Sequence, residues 1–184
     1  MKQKYRWLFG ALALIASASI LFGCKPNVPP LHNEDYTITY NLNGGSDNGG
    51  NPASYNIETE TITLKPASRT GYTFKGWFNN EKCTGDAVTQ IVKGSTGNKK
   101  FWAKWEANKY KVHFDGNGAD GETMNDQTFT YDKEQALMAN TFTKTGYAFT
   151  NWATNKDGSG TTYSDKQQVK NLTAKQNDTV TLYA

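Results

Sequence analysis

Thr70-Gly71-Tyr72-Thr73-Phe74-Lys75-Gly76-Trp77 recurs as Thr145-Gly146-Tyr147-Ala148-Phe149-Thr150-Asn151-Trp152, 75 positions further on. Landmarks on either side repeat with it. Tyr36-Thr37-Ile38-Thr39-Tyr40-Asn41 matches Tyr110-Lys111-Val112-His113-Phe114-Asp115, and Phe101-Trp102-Ala103 matches Leu182-Tyr183-Ala184. Self-similarity at a period of this size marks two copies of one small domain. Function is therefore to be read from modules rather than from a single catalytic centre.

Strand signals dominate both copies. Tyr36, Ile38, Tyr40 and Leu42 alternate with Thr37, Thr39, Asn41 and Asn43, as Tyr110, Val112 and Phe114 do with Lys111, His113 and Asp115. Such alternation gives a strand one buried and one wet face. Each strand runs into a glycine-rich cluster, residues 43–50 or 115–121, where positive φ angles are needed for a turn. Second-strand marks follow at Tyr55, Ile57, Ile62 and Leu64, and at Phe129 and Tyr131. In the shared motif Tyr72 and Phe74 have one parity and Trp77 the other, so either a bulge at Gly76 or Asn151 shifts the phase or the strand is two-faced. We expect Tyr72, Phe74 and Trp77, and Tyr147, Phe149 and Trp152, to pack inside their modules. Phe101, Ala103 and Trp105 share a face of the closing strand, which in the second copy is cut short at Ala184. Helical patterning is confined to Asp132–Asn140, one or two turns at most.

The chain starts with Lys2, Lys4 and Arg6, continues with an apolar run from Trp7 to Phe22, and reaches Gly23-Cys24. This is the plan of a secretory signal peptide, the run being shorter than the roughly 20 residues a spanning helix needs. Three of the 20 Lys+Arg lie in it and none of the 17 Asp+Glu, so the remainder is balanced at 17 against 17. A balanced chain lacks the electrostatic footprint of a nucleic-acid binder. Residues 25–35, with three prolines, read as an extended tether. The Leu21-Phe22-Gly23-Cys24 end resembles a bacterial lipobox. That resemblance implies acylation of Cys24, cleavage after Gly23 and anchoring to a membrane through the lipid. Lys25, in place of the Asp that retains some lipoproteins at the inner membrane, points to the outer membrane or the cell surface.

Beyond the tether, Y-x-I/V-x-F/Y-x-x-N-G, G-Y-x-F-x-x-W and the closing Phe101-Trp102-Ala103-Lys104-Trp105 resemble the internalin-type B-repeat, or Listeria-Bacteroides repeat. The resemblance implies a mainly β fold (α+β at most) of two tandem small β-grasp-like, ubiquitin-like modules. They would occupy residues 36–106 and 109–184, after a signal peptide (1–23) and a lipidated tether (24–35). It also implies a surface spacer or adhesive role without catalytic residues.

No enzyme chemistry is legible. Cys83 has no base near it in sequence, its counterpart is Gly158, and with Cys24 acylated it has no disulfide partner. Asn155–Gly160 resembles half an EF-hand loop, but Lys166 stands where the bidentate Glu belongs. The loop at 115–121 offers only scattered oxygens, and His32 and His113 give no zinc spacing. No cofactor or metal site is expected, and the chain reads as a monomer. Trp77, Trp102, Trp105 and Trp152 have two possible uses: the core of a small domain poor in aliphatics, or a sugar-stacking platform. The partner class is correspondingly a protein or a glycan.

Overall fold

The computed structural model describes residues 34–184. The signal peptide, Cys24, His32 and all of the tether but Glu34 and Asp35 lie outside the described residues. The first module contains β1 (Tyr36–Asn41), β2 (Ser54–Tyr55), β3 (Ile62–Thr63), β4 (Tyr72–Phe78), β5 (Gln90–Ile91) and β6 (Lys99–Ala107). The second contains β7 (Lys109–Asp115), β8 (Gln127–Thr130), β9 (Gln135–Ala136), β10 (Trp152–Ala153), β11 (Thr162–Tyr163), β12 (Gln168–Val169) and β13 (Thr179–Tyr183). The fold is mainly β, in two tandem modules.

Both main sheets use one plan. In the first, the order is β2-β1-β6-β4; in the second, β8-β7-β13-β10 with β11 added outside. First and last strands lie side by side and parallel, β1 on β6 and β7 on β13. A second, two-stranded sheet completes each module, β3 with β5 and β9 with β12. The expected alternation holds: Ile38, Tyr110, Val112 and Phe114 are buried, while Thr37, Thr39, Lys111 and His113 are exposed.

The parity conflict in the shared motif is resolved by a bulge. Pairing of β4 with β6 shifts between Phe74 and Gly76, so that Phe74 opposite Trp105 and Trp77 opposite Ala103 both pack against the core. Gly76 takes φ +124, and a Cβ there would sit 2.7 Å from the Ala87 methyl carbon. In the second module Asn151 lies outside any strand. The helical pattern at Asp132–Asn140 is overridden by pairing: residues 135–136 join β12, Gln127 bonds to Ala136 O and Met138 N, and Leu137 is buried after its N–H bonds to Gln167 O.

Trp77 and Trp152, 1% and 0% exposed, centre the two cores. Around Trp77 stand Ile38, Tyr55, Leu64, Ile91 and Phe101; around Trp152, Phe114, Phe129, Leu137, Val169 and Leu182. Edge-on and tilted ring pairs at 4.8–5.3 Å fill the space that few aliphatics are present to fill, as for Tyr40 and Phe74 on Trp77 and Phe114 and Phe149 on Trp152. Tyr72 and Tyr147 depart from the expectation: Tyr72 is half-buried and lies outside the core cluster, and Tyr147 is 74% exposed. Tyr72 is partly covered by Ala107 opposite it and by Tyr131, whereas Tyr147 has only the Lys144 ammonium over its ring and no strand residue opposite it among the described residues.

The two indoles differ in their polar end. Trp77 Nε1 donates to Lys65 O at 2.9 Å, and that segment is pinned by buried Asn51, whose side chain bonds both Lys65 N and Lys65 O. Trp152 Nε1 is buried without a partner among the described residues, and Asn125, the residue matching Asn51, is exposed. An orphaned buried donor costs about 1–3 kcal/mol. Truncation of either Trp to Ala should cost about 3–5 kcal/mol. Replacement by Phe should separate them, with Trp77→Phe losing about 1 kcal/mol or more beyond Trp152→Phe, because only the former breaks a bond. Urea denaturation of the two variants checks this; equal losses would mean that Trp152 Nε1 is paired.

Candidate functional site: the junction between the modules

A single residue, Asn108, separates β6 from β7. A link of this length requires no flexibility and allows much contact. Asn108 is buried, and each of its four polar groups is bonded. Toward the first module, Asn108 N donates to Gly71 O (2.9 Å) and Oδ1 accepts from Thr73 Oγ1 (2.7 Å). Toward the second, Asn108 O accepts from Tyr131 N (2.8 Å) and Nδ2 donates to Ala174 O (2.7 Å). Two bonds on either side make it a clamp, and a buried amide satisfied in this way is costly to remove.

The shared motif supplies the rest of the junction. Gly71, at φ +77, lies so close under the Tyr131 ring that a Cβ would run into it. The Tyr72 and Tyr131 rings meet edge to face at 5.9 Å. Tyr72 Oη donates to Asp132 Oδ2 at 2.8 Å, while Asn171 Nδ2 donates to Asp132 Oδ1 at 2.9 Å. These bonds, Asn171 first and then Tyr72, hold the Asp132 carboxyl below its ordinary value. On the far side of Tyr72, the Arg69 guanidinium lies 3.7 Å from the ring centroid.

The other candidates from the sequence stay apart from this site. Cys83 is buried, with φ +49 against +82 for its counterpart Gly158, so both occupy the same left-handed turn position. Its sulfur faces the carbonyls of Glu81, Trp102 and Ala103 at 3.7, 4.0 and 3.9 Å, with no His or carboxylate bonded to it among the described residues. In the Asn155–Gly160 loop the Asp157 carboxylate accepts both the N–H and hydroxyl of Ser159, and these bonds lower its pKa. At 115–121, Asp115 Oδ1 bonds Asn117 N and Asp120 Oδ2 bonds Thr145. Among the described residues no three His, Cys, Asp or Glu side chains converge on a metal-sized point. His113 is bonded to Asp126 at 2.8 Å on the wet face of β7. Among the described residues the large exposed apolar side chains are Val92 and Tyr147, one in each module.

Sequence reasoning leaves residues 107–108 as an unassigned gap and misses Asn108 as a clamp. The only signal was the shortness of the gap itself.

Among known proteins, the model of the Listeria-Bacteroides repeat domain matches residues 36–104 and again 110–184. A protein of Evansella cellulosilytica named "Putative membrane protein" is 37% identical over 131 residues, 68% of this chain and 19% of the relative. A second from the same organism, "Putative Gly-rich membrane protein", is 33% identical over 177 residues, 89% of this chain and 20% of the relative. The chain thus spans about a fifth of the length of these relatives. No solved structure matches it. Two matching copies over nearly all of the described residues place the chain in the Listeria-Bacteroides repeat domain family.

Proposed function

We propose that this chain is a non-enzymatic envelope lipoprotein, acylated at Cys24, whose two modules form a stiff spacer that presents a protein-contacting surface away from the membrane. The observation that carries the reading is the junction. A binding module needs no such clamp, whereas a spacer is of use only if its units resist bending against each other. Asn108, Gly71, Tyr72, Tyr131 and Asp132 supply that resistance. Trp77, Trp105 and Trp152 are occupied in or against the cores and Tyr72 and Tyr131 at the junction, while half-buried Trp102 and exposed Tyr147 fall in different modules; this favours protein contact over the sugar-platform alternative, since the latter needs two rings on one exposed face. The names of the relatives and the lipobox-like end support a membrane association.

Stiffness is measured by the distance distribution between spin labels in the two modules. Asn108→Ala should broaden it while the tryptophan environments of both cores stay native; an unchanged distribution would sink the clamp. Acid provides an independent handle. A carboxyl held low in the folded chain stabilises above its unfolded pKa and loses that contribution as pH falls through the folded value. The Tyr72–Asp132 bond should therefore persist at neutral pH and fade below the ordinary Asp value of 3.8, broadening the same distribution.

Anchoring is tested by metabolic labelling with a palmitate analogue. The wild-type chain should take the label, and Cys24→Ala should lose it and be released to the medium. A glycan array on residues 25–184 tests the alternative, saturable binding to one sugar class being the result that would overturn the protein-contact reading.

A further inference from the structure

The outer face of the first module's main sheet differs in charge from that of the second. Along β6, Lys100, Trp102 and Lys104 alternate with buried Phe101 and Ala103, so all three stand on the wet face, with Thr39 and Asn41 of β1 beside Lys100 and Trp102. Of the four tryptophans in the modules, Trp102 alone neither joins nor packs against a core. It is half-buried opposite Phe78, and no described residue accepts its indole N–H, whereas Trp77 and Trp105 donate to Lys65 O and Leu42 O.

The cations beside this indole are held in place but lack carboxylates. Lys100 Nζ lies 4.9 Å from the Trp102 ring centroid, while Lys104 Nζ lies 5.1 Å from that of Phe78 and donates to Cys83 O at 3.1 Å. Glu106, further along the same face, pairs with Lys75 at 3.1 Å, and Asp35, just before β1, accepts from Asn56 Nδ2 at 3.1 Å. Among the described residues neither Lys100 nor Lys104 has a carboxylate within ion-pair distance. In the second module Thr181 and Tyr183 stand where Lys100 and Trp102 do, and Lys111 and His113 beside that strand both bond Asp126, at 3.5 and 2.8 Å. A solvated lysine by itself says little. Two of them flanking an indole that the fold leaves half open make a patch with positive ends and a flat apolar middle.

We propose that this face binds an extended acidic segment of a partner protein, laid along β6 with a carboxylate on each of Lys100 and Lys104 and an aromatic ring on Trp102. Four residues of strand separate the two lysines by roughly 13 Å, which is the distance between residues k and k+4 of an extended partner whose residue k+2 points the same way. The pattern recognised is therefore acid-x-aromatic-x-acid. Charge selects this occupant over the chain's own tether, since residues 25–33 hold no Asp or Glu. Seating on anionic headgroups would set β6 flat on the membrane, and with it the strand direction that leads through Asn108 into the second module, contrary to a spacer. A sugar would find one ring here where a platform needs two. The inference rests on the protein-contact reading above and names its site and the chemistry of its partner.

The test is titration of the full chain, observed by NMR, with the peptide Glu-Thr-Phe-Thr-Glu. Saturable shifts confined to residues 39–41, 75–78 and 100–104 are expected, with binding roughly fivefold weaker when Gln replaces both Glu and again when Ser replaces Phe. Raised salt should weaken the acidic peptide and leave the Gln peptide unaffected. Lys100→Glu together with Lys104→Glu, both at exposed positions, should lose the acidic peptide and take up Lys-Thr-Phe-Thr-Lys instead. Absence of shifts at these residues, equal binding of the Gln peptide, or binding unaltered by the reversed charges overturns the proposal. Shifts confined to another face would overturn this site and leave the broader protein-contact reading standing. Broadening of the same signals by phosphatidylglycerol vesicles, with no response to peptide, would assign the face to headgroups and overturn the choice of occupant.

Discussion

Each module depends on one pairing, that of its first strand with its last. β1 and β6, like β7 and β13, are parallel neighbours at the centre of their sheets, so everything between them in sequence must cross from one end of the sheet to the other. That crossing is made by short strands and turns rather than by a helix, and it wraps around one tryptophan. The chain between the pair is rich in Thr, Asn, Gly and Lys and poor in aliphatics, so a few large rings supply most of the buried apolar surface. The recurrence of the G-Y-x-F-x-x-W segment follows from this: Trp sits under the sheet, Phe packs edge-on against it, and the preceding glycine turn aims both.

The first residues of that segment do a second job. In the first module Gly71, Tyr72 and Thr73 lie at the end of β4 nearest the next module, and together with Asn108 they make the junction. Asn108 succeeds there because an amide side chain plus a peptide unit gives two donors and two acceptors, matched by two groups on either side. A flexible linker would leave these groups to water. Here they are buried in a contact that couples the two units, which is the physical basis of the proposed spacer role.

Duplication allowed the two modules to diverge in pairs of compensating residues. Leu42 and Ala67 of the first module correspond to Gly116 and Phe142 of the second, a large residue and a small one exchanged across the same space; a Cβ on Gly116 would be 2.8 Å from the Phe142 ring. Other changes lack compensation. Asn51 pins the acceptor for Trp77, but Asn125 is exposed and the Trp152 N–H has no partner among the described residues.

Period, strand alternation and turn glycines were decided by sequence alone, because they are local. The 75-residue repeat marked two modules, parity marked the buried faces, and the conflict between Phe74 and Trp77 left a bulge or a two-faced strand, of which the bulge is found at Gly76. Even the turn position of Cys83 was legible, from its glycine counterpart. What tertiary structure decided were matters of partnership. Asn108 looks like any polar linker residue until four groups distant in sequence converge on it. Tyr147 has the same sequence context as Tyr72, yet is exposed, because burial of that ring depends on a strand opposite and a neighbouring module rather than on its own segment. The residues at 132–140 carry a faint helical pattern, but an isolated stretch that short gains little from helix formation, and bonds from Gln127, Gln167 and β12 hold it extended.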